Sequence, residues 1–160
     1  ALKETPHMNA WYHNGELIQV EDIHIGIATA IEDGLVVPVI KNAQNMSLAS
    51  IGAAIKQVAT EARQGTLDGS LYSGSTFTIT NLGGYEVEYF TPILNTPEVG
   101  ILGVGTLQKE LALENGEVIE KIKLPLSLTY DHQIIDGAPA AEFVNKIAHY
   151  LENPYLLLLS

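Results

Sequence analysis

The sequence predicts an α/β layered domain, and three observations carry that prediction. Short runs such as Ser75 to Thr80 and Leu124 to Tyr130 alternate apolar and polar or small residues with a period near two, the spacing of a strand buried on one face. Turn dipeptides, Asn14-Gly15, Asp33-Gly34 and Asn115-Gly116, stand between such runs. Two longer stretches, starting near Leu48 and Ala140, place apolar residues three and four apart, which is the spacing of one helix face.

In chain order, Ala1 to Met8 reads as the tail of a helix, broken by Pro6, which lacks an N–H. Trp11 to Val20 reads as a hairpin around Asn14-Gly15. Ile23 to Ile31 and Leu35 to Ile40 read as adjacent strands turned at Asp33-Gly34, with Pro38 marking an irregular position in the second. Asn45 or Ser47 caps a helix running to about Gln64, with Leu48, Ile51, Ile55, Val58, Ala59 and Ala62 on one face and Gly65 as the stop signal. After a glycine- and serine-rich loop, Ser75 to Thr80 is a strand that ends in Asn81-Leu82-Gly83-Gly84. Val99 to Leu107 and Glu117 to Leu128 read as further strands, the latter bent at Pro125. A last helix begins near Pro139 and ends before Asn153-Pro154, burying the stripe that includes Phe143, Val144 and Ile147.

Composition excludes several function classes. The chain has 160 residues, no cysteine, and a formal charge of −11 from eight basic and nineteen acidic residues. Without cysteine there is no disulfide scaffold, thiolate metal site or cysteine nucleophile. So few cations disfavour a nucleic-acid surface, which depends on clustered Lys and Arg. No apolar run is long enough to span a bilayer, so no membrane role is expected; Leu156 to Leu159 reads as a docking tail. The five histidines lack the spacing of a helical zinc site, and no metal is expected. His7, His13 and His149 read as surface residues and His24 as a strand residue.

The candidate chemistry lies at the end of LPLSLTYDHQIIDG, Leu124 to Gly137. A strand that terminates in His132, with Asp131 and Asp136 beside it, offers a rigid mount for an imidazole acting as a general base. Asp136 has two compatible readings: a cap for the following turn and helix, or a group that fixes the surroundings of the imidazole. Thr80 also has two readings: an ordinary strand hydroxyl, or a donor to a developing oxyanion at a glycine-rich turn. Ser127 and Thr129 read as sheet residues, and no Gly-x-Ser-x-Gly elbow is present.

The run YDHQIIDGAPAAEFVNKI resembles the terminal motif of the 2-oxo acid dehydrogenase acyltransferases: an aromatic residue, Asp, His, Arg, two apolar residues, Asp, Gly, Ala. Gln133 stands where that family usually has Arg. The segments EDGLVVPVIKNAQNMSLASI, STFTITNLGG and YFTPILNTPEVGILGVG resemble the same family and follow its order across essentially the whole chain.

The resemblance implies the fold shared with chloramphenicol acetyltransferase, a two-layer α/β sandwich, with residues 1–160 forming the C-terminal two-thirds of the catalytic domain and its N-terminal part lying outside this chain. It implies a dihydrolipoamide acyltransferase that moves an acyl group between dihydrolipoyl-lysine and coenzyme A in the core of a 2-oxo acid dehydrogenase complex. The lipoyl group would ride on an upstream or separate lipoyl domain. By the same resemblance His132 is the catalytic base, Thr80 supports the tetrahedral intermediate from a neighbouring subunit, and Asp136 organises the turn and meets an upstream arginine. Coenzyme A has no lysine cluster waiting for it, because Lys41, Lys56, Lys109, Lys121, Lys123 and Lys146 are scattered along the sequence. The implied partners are two further copies in a homotrimer, trimers joined through the tail into a 24-mer or 60-mer, the lipoyl domain, and the E1 and E3 components. The implied compartment is a bacterial or archaeal cytoplasm or the mitochondrial matrix. A second reading of the same resemblance is a structural core or assembly subunit that has lost turnover.

Overall fold

A computed structural model describes residues 1–158. The described residues form eleven strands and two α-helices: β1 (Ala10–His13), β2 (Glu16–Gln19), β3 (Ile25–Ile27), β4 (Thr29–Ile31), β5 (Gly34–Val36), β6 (Val39–Ile40), α1 (Leu48–Gln64), β7 (Phe77–Asn81), β8 (Gly100–Val104), β9 (Gln108–Glu114), β10 (Glu117–Lys123), β11 (Leu126–Tyr130) and α2 (Gly137–Glu152). The central sheet runs β11-β8-β7-β3-β6. β7 lies parallel to both β3 and β8, and the two outer pairings are antiparallel.

Both helices cover one face of this sheet. Ile25 is in register with both Phe77 and Ile40, so the three share a face. Ile40 packs in a cluster with Val58 and Ala62 of α1, whereas Phe77 packs with Ala140 and Phe143 of α2. The rings of Phe77 and Phe143 meet edge to face at 5.6 Å. The expected layered α/β architecture is present as one sheet under one helical layer. On the other face two rows stand in register, Thr78–Ile101–Thr129 and Thr80–Gly103–Ser127. The irregular segment 82–98 crosses part of this face. A side chain at Gly103 would come within 2.9 Å of the Phe90 ring, which occupies its place.

Local signals hold where they are strong. Asn14 and Gly15 both have positive φ and turn the β1–β2 hairpin; Asn115 and Gly116 do the same for β9–β10. Ser47 caps α1 by accepting the Ser50 amide at 3.1 Å, and Gly65 closes it at φ 69°.

Several expectations are corrected. Ala1 to Met8 forms two 3₁₀ turns, Leu2–Glu4 and Pro6–Met8, because Thr5 leaves helical geometry immediately before Pro6. The two strands expected over residues 23 to 40 are four short ones: β3 and β6 stay in the central sheet, while β4 and β5 form a separate hairpin. Ile31 pairs with Gly34, so Glu32 and Asp33 make that turn, one position earlier than expected. Pro38 lies in the break between β5 and β6. Leu124 and Pro125 likewise divide the strand expected over 117 to 128 into β10 and β11. On α1, Leu48 and Ile55 are exposed, so the buried stripe narrows to Val58 and Ala62, with Ile51 and Ala59 partly covered. Residues 156–158 of the expected docking tail lie in a 3₁₀ turn over Pro154–Leu158, which does not bear on docking, and Leu159 lies outside the described residues.

The β9–β10 hairpin stands apart from the sheet. Register places Leu111, Leu113, Val118 and Ile122 on one of its faces, all exposed. Cross-strand pairs Lys109–Glu120, Lys121–Glu114 and Lys123–Glu110 brace it.

Candidate active site

β11 delivers the candidate base. After Tyr130 the strand ends because Asp131 commits its polar groups to a turn. Its amide donates to the Val99 carbonyl at 2.9 Å, its Oδ1 accepts the Gln133 amide at 2.9 Å, and its carbonyl accepts the amides of Ile134 and Ile135. Ile135 is buried against Phe77 and Phe143 and pins the far side of the turn. His132 sits at the apex with 68% of its side chain exposed. Its ring lies 5.5 Å from that of Tyr130, and its Nδ1 is 3.7 Å from Asp136 Oδ1.

Asp136 occupies the N-cap position of α2, and its carbonyl accepts the Ala140 amide at 3.1 Å. The expected side-chain cap is absent. A capping carboxylate accepts from the second or third helical residue, and the third here is Pro139, which has no N–H to give. The carboxylate points towards the imidazole instead. At 3.7 Å between exposed groups the pair contributes little to stability. It does give Nδ1 a preferred direction, which leaves Nε2 as the nitrogen facing outward.

Thr80 is half-buried on β7, level with Gly103 and Ser127. From Ser127, which stands two strands from Thr80 across β8, β11 runs three residues further, roughly 10 Å, before the turn that carries His132. Within one chain, then, His132 and Asp136 are brought together and Thr80 lies towards the other end of the sheet. The turn after Thr80 is tightly built: Asn81 Oδ1 accepts the Gly83 amide at 2.8 Å, and Thr106 donates to the Gly83 carbonyl at 2.8 Å. Ser127 and Thr129, read as sheet residues, line an open groove of about 320 Å³ with Tyr89, Phe90 and Thr91 on the same face as Thr80. His24, read as a strand residue, immediately precedes β3, and its Nδ1 accepts the Asn42 amide at 3.0 Å.

Sequence reasoning missed a buried polar cluster. Glu98 is 3% exposed. Its Oε1 accepts from Ser75 Oγ in a short hydrogen bond and from Asn95 Nδ2 at 2.8 Å, while Oε2 has no partner among the described residues. Asn95 Nδ2 also lies 3.3 Å from Thr78 Oγ1. Burial pushes the Glu98 carboxyl above the usual carboxylate range, and the hydrogen bonds from Ser75, Thr78 and Asn95 oppose that shift. One sequence signal was available: a lone acid opening the apolar run Val99 to Val104. Among the described residues no group of three His, Asp or Glu side chains could hold a metal, and no helix is long and apolar enough to cross a membrane.

Comparison with known proteins gives the family of this fold. The family model for the 2-oxoacid dehydrogenases acyltransferase catalytic domain matches residues 1–159. The dihydrolipoyllysine-residue acetyltransferase component of the acetoin cleaving system of Bacillus subtilis is 46% identical over 159 residues, covering 99% of this chain and 40% of that protein. The cubic core of a pyruvate dehydrogenase multienzyme complex superposes with a TM-score of 0.92 at 38% identity, covering 98% of this chain and 65% of the solved one. The dihydrolipoamide acetyltransferase of Azotobacter vinelandii superposes equally well, with a TM-score of 0.92 at 39% identity and the same coverage. The chain thus spans about two fifths of the length of its curated relative and just under two thirds of these solved structures. With a match to the catalytic-domain model that runs from the first residue through the His132 turn to residue 159, the chain belongs to the 2-oxoacid dehydrogenase acyltransferase family.

Proposed function

We propose that this chain forms the larger part of the catalytic domain of a dihydrolipoamide acetyltransferase, moving an acetyl group between dihydrolipoyl-lysine and coenzyme A in the core of a 2-oxo acid dehydrogenase complex. One observation carries the residue assignment. In the A. vinelandii enzyme a serine, a histidine and an asparagine were investigated for their roles in the catalytic mechanism; the serine precedes the histidine by 52 positions and the asparagine follows it by 4. Thr80, His132 and Asp136 stand at the same two separations. A hydroxyl and an imidazole are retained, and a carboxylate replaces the amide. The acetyl group is favoured because the relatives described above are acetyltransferases.

The chemistry follows from the groups. His132, with Nδ1 turned to Asp136, presents Nε2 to the thiol of coenzyme A and takes its proton. The thiolate adds to the carbonyl carbon of the acetyl thioester, and the Thr80 hydroxyl donates to the oxygen that becomes negative. Collapse breaks the bond to the dihydrolipoyl sulfur, which recovers the proton from the imidazolium. The products are acetyl-coenzyme A and the dihydrolipoyl dithiol, without an acyl-enzyme. Asp136 orients the ring and transfers no proton.

Thr80 and His132 lie too far apart in one chain to act on one carbonyl. This supports a cyclic homotrimer in which His132 of one copy faces Thr80 of the next. Assembly of trimers into a larger core, a tethered lipoyl domain, the E1 and E3 partners and a bacterial cytoplasm complete the reading. The solved cubic core and the Bacillus relative support it.

The test is formation of S-acetyldihydrolipoamide from acetyl-coenzyme A and dihydrolipoamide, followed by chromatography on the protein carrying the complete catalytic domain. His132→Ala is expected to lower kcat by about 10² to 10⁴. Thr80→Val, which keeps the branched shape and removes the hydroxyl, is expected to lower it by about 10² to 10³ with little change in KM. Undiminished transfer by His132→Ala would overturn the assignment, and absence of transfer by assembled wild-type protein would favour a structural core.

A further inference from the structure

The Glu98 cluster plays no part in the chemistry above, yet it lies beside the element that carries the base. Glu98 forms a bridge with Trp11, and the Tyr12 amide donates to the Pro97 carbonyl at 2.8 Å. Val99, the next residue, donates to the Ala10 carbonyl at 3.2 Å and accepts the Asp131 amide at 2.9 Å. Asp131 in turn closes the His132 turn with its side chain and its carbonyl. A continuous path therefore runs from the buried carboxyl, through one backbone carbonyl, to the residue before the base.

We infer that Glu98 is a positioning residue for His132, acting through the Val99 carbonyl that anchors Asp131. This rests on the reading of His132 as the general base. Residues 95–98 lie outside the named strands, and their one backbone bridge, Glu98 to Trp11, ties them to β1 and not to the central sheet. The Glu98 side chain supplies the tie to the approach to β7, because Ser75 there and Asn95 both donate to its Oε1. Asn95 adds its contact to Thr78 within β7. The carboxyl thereby sets where β8 begins, and β8 begins where the His132 turn is tied.

The arrangement works best with the carboxyl neutral. Oε2 is buried without a donor, and an ionised oxygen there would carry unsolvated charge. Among the described residues no cation balances it: the hydrogen-bonding neighbours Ser75, Thr78 and Asn95 are neutral, β1 presents Trp11, and Tyr72 is the one other titratable side chain lining the groove that Trp11, residues 72–75 and residues 95–98 form beside it. Ionisation of Glu98 as pH rises should loosen residues 95–99 and with them the Asp131 anchor.

The test compares wild type, Glu98→Gln and Glu98→Ala in the protein carrying the complete catalytic domain. Glutamine keeps the acceptor for Ser75 and Asn95 and cannot ionise; alanine removes both. Two readouts are taken: hydrogen exchange at the Asp131 amide, which needs no turnover, and kcat with KM for coenzyme A from mildly acidic to alkaline pH. In Glu98→Ala, Asp131 exchange is expected to accelerate by about tenfold or more, and kcat to fall roughly ten- to hundredfold at unchanged KM. Glu98→Gln is expected to restore both, and to hold its kcat as pH rises while that of wild type declines. Unchanged Asp131 exchange in a folded Glu98→Ala protein would overturn the inference, as would a Gln variant no better than Ala. Should the Ala variant not fold, superimposable pH profiles for Gln and wild type would overturn it. Failure of the base assignment is read separately, from His132→Ala, and leaves the exchange result intact.

Discussion

At the scale of single residues, the titrating group with most leverage on the fold is Glu98. Its carboxyl is held above the usual range by burial, so its folded value exceeds its unfolded one. A carboxyl shifted in that sense favours folding fully below the unfolded value, near pH 4.3, and loses that contribution as pH rises through the folded value. Wild type should therefore fall behind Glu98→Gln in melting temperature as pH rises from acidic to alkaline, with the two closest at low pH. Thermal melts at several pH values check this, and parallel curves would contradict it. His132 and Thr80 were legible as candidates because each stands at the end of an alternating strand, and the family motif raised them above ordinary strand residues. Glu98 was not legible. Its burial depends on residues 95–98 folding back over Ser75 and Thr78, a contact about twenty positions away that periodicity does not encode. The missing Asp136 cap could have been read, since Pro139 removes one of the donors a cap needs.

At the scale of elements, α2 matters because its N-terminus closes the His132 turn and its Phe143 fills the core beneath. Phe143 is 1% exposed and packs on Phe77, so Phe143→Ala removes a ring that nothing else can replace. A loss of about 3–5 kcal/mol is expected in denaturant titration, with weakened protection of Ile134 and Ile135. Both helices and both Asn-Gly hairpins were legible because their signals are local: caps, stops and positive-φ turns. The division of residues 23–40 into four strands was not. Which part stays in the central sheet depends on pairing of β3 with β7, fifty positions away, and the sequence shows only that Pro38 must interrupt something. For α1, the exposure of Leu48 and Ile55 departs from the stripe that spacing alone suggests, because the helix meets β4 and β6 over only part of its length.

At the scale of the whole molecule, the sheet sets the distance between the functional groups. One row of hydroxyls, with Thr80 in it, crosses the face opposite the helices, and the imidazole emerges beyond the end of β11. On the proposed trimeric reading, each copy carries two unlike halves of a site that face different neighbours. Genetic complementation follows. His132→Ala contributes a sound hydroxyl half and Thr80→Val a sound imidazole half, so two proteins that are each inactive alone should regain activity when refolded together. With equal amounts and random assembly into rings, about one junction in four joins two sound halves. Recovery to roughly a quarter of wild-type turnover is the expected result, and mixtures as inactive as their components would place both halves within one chain.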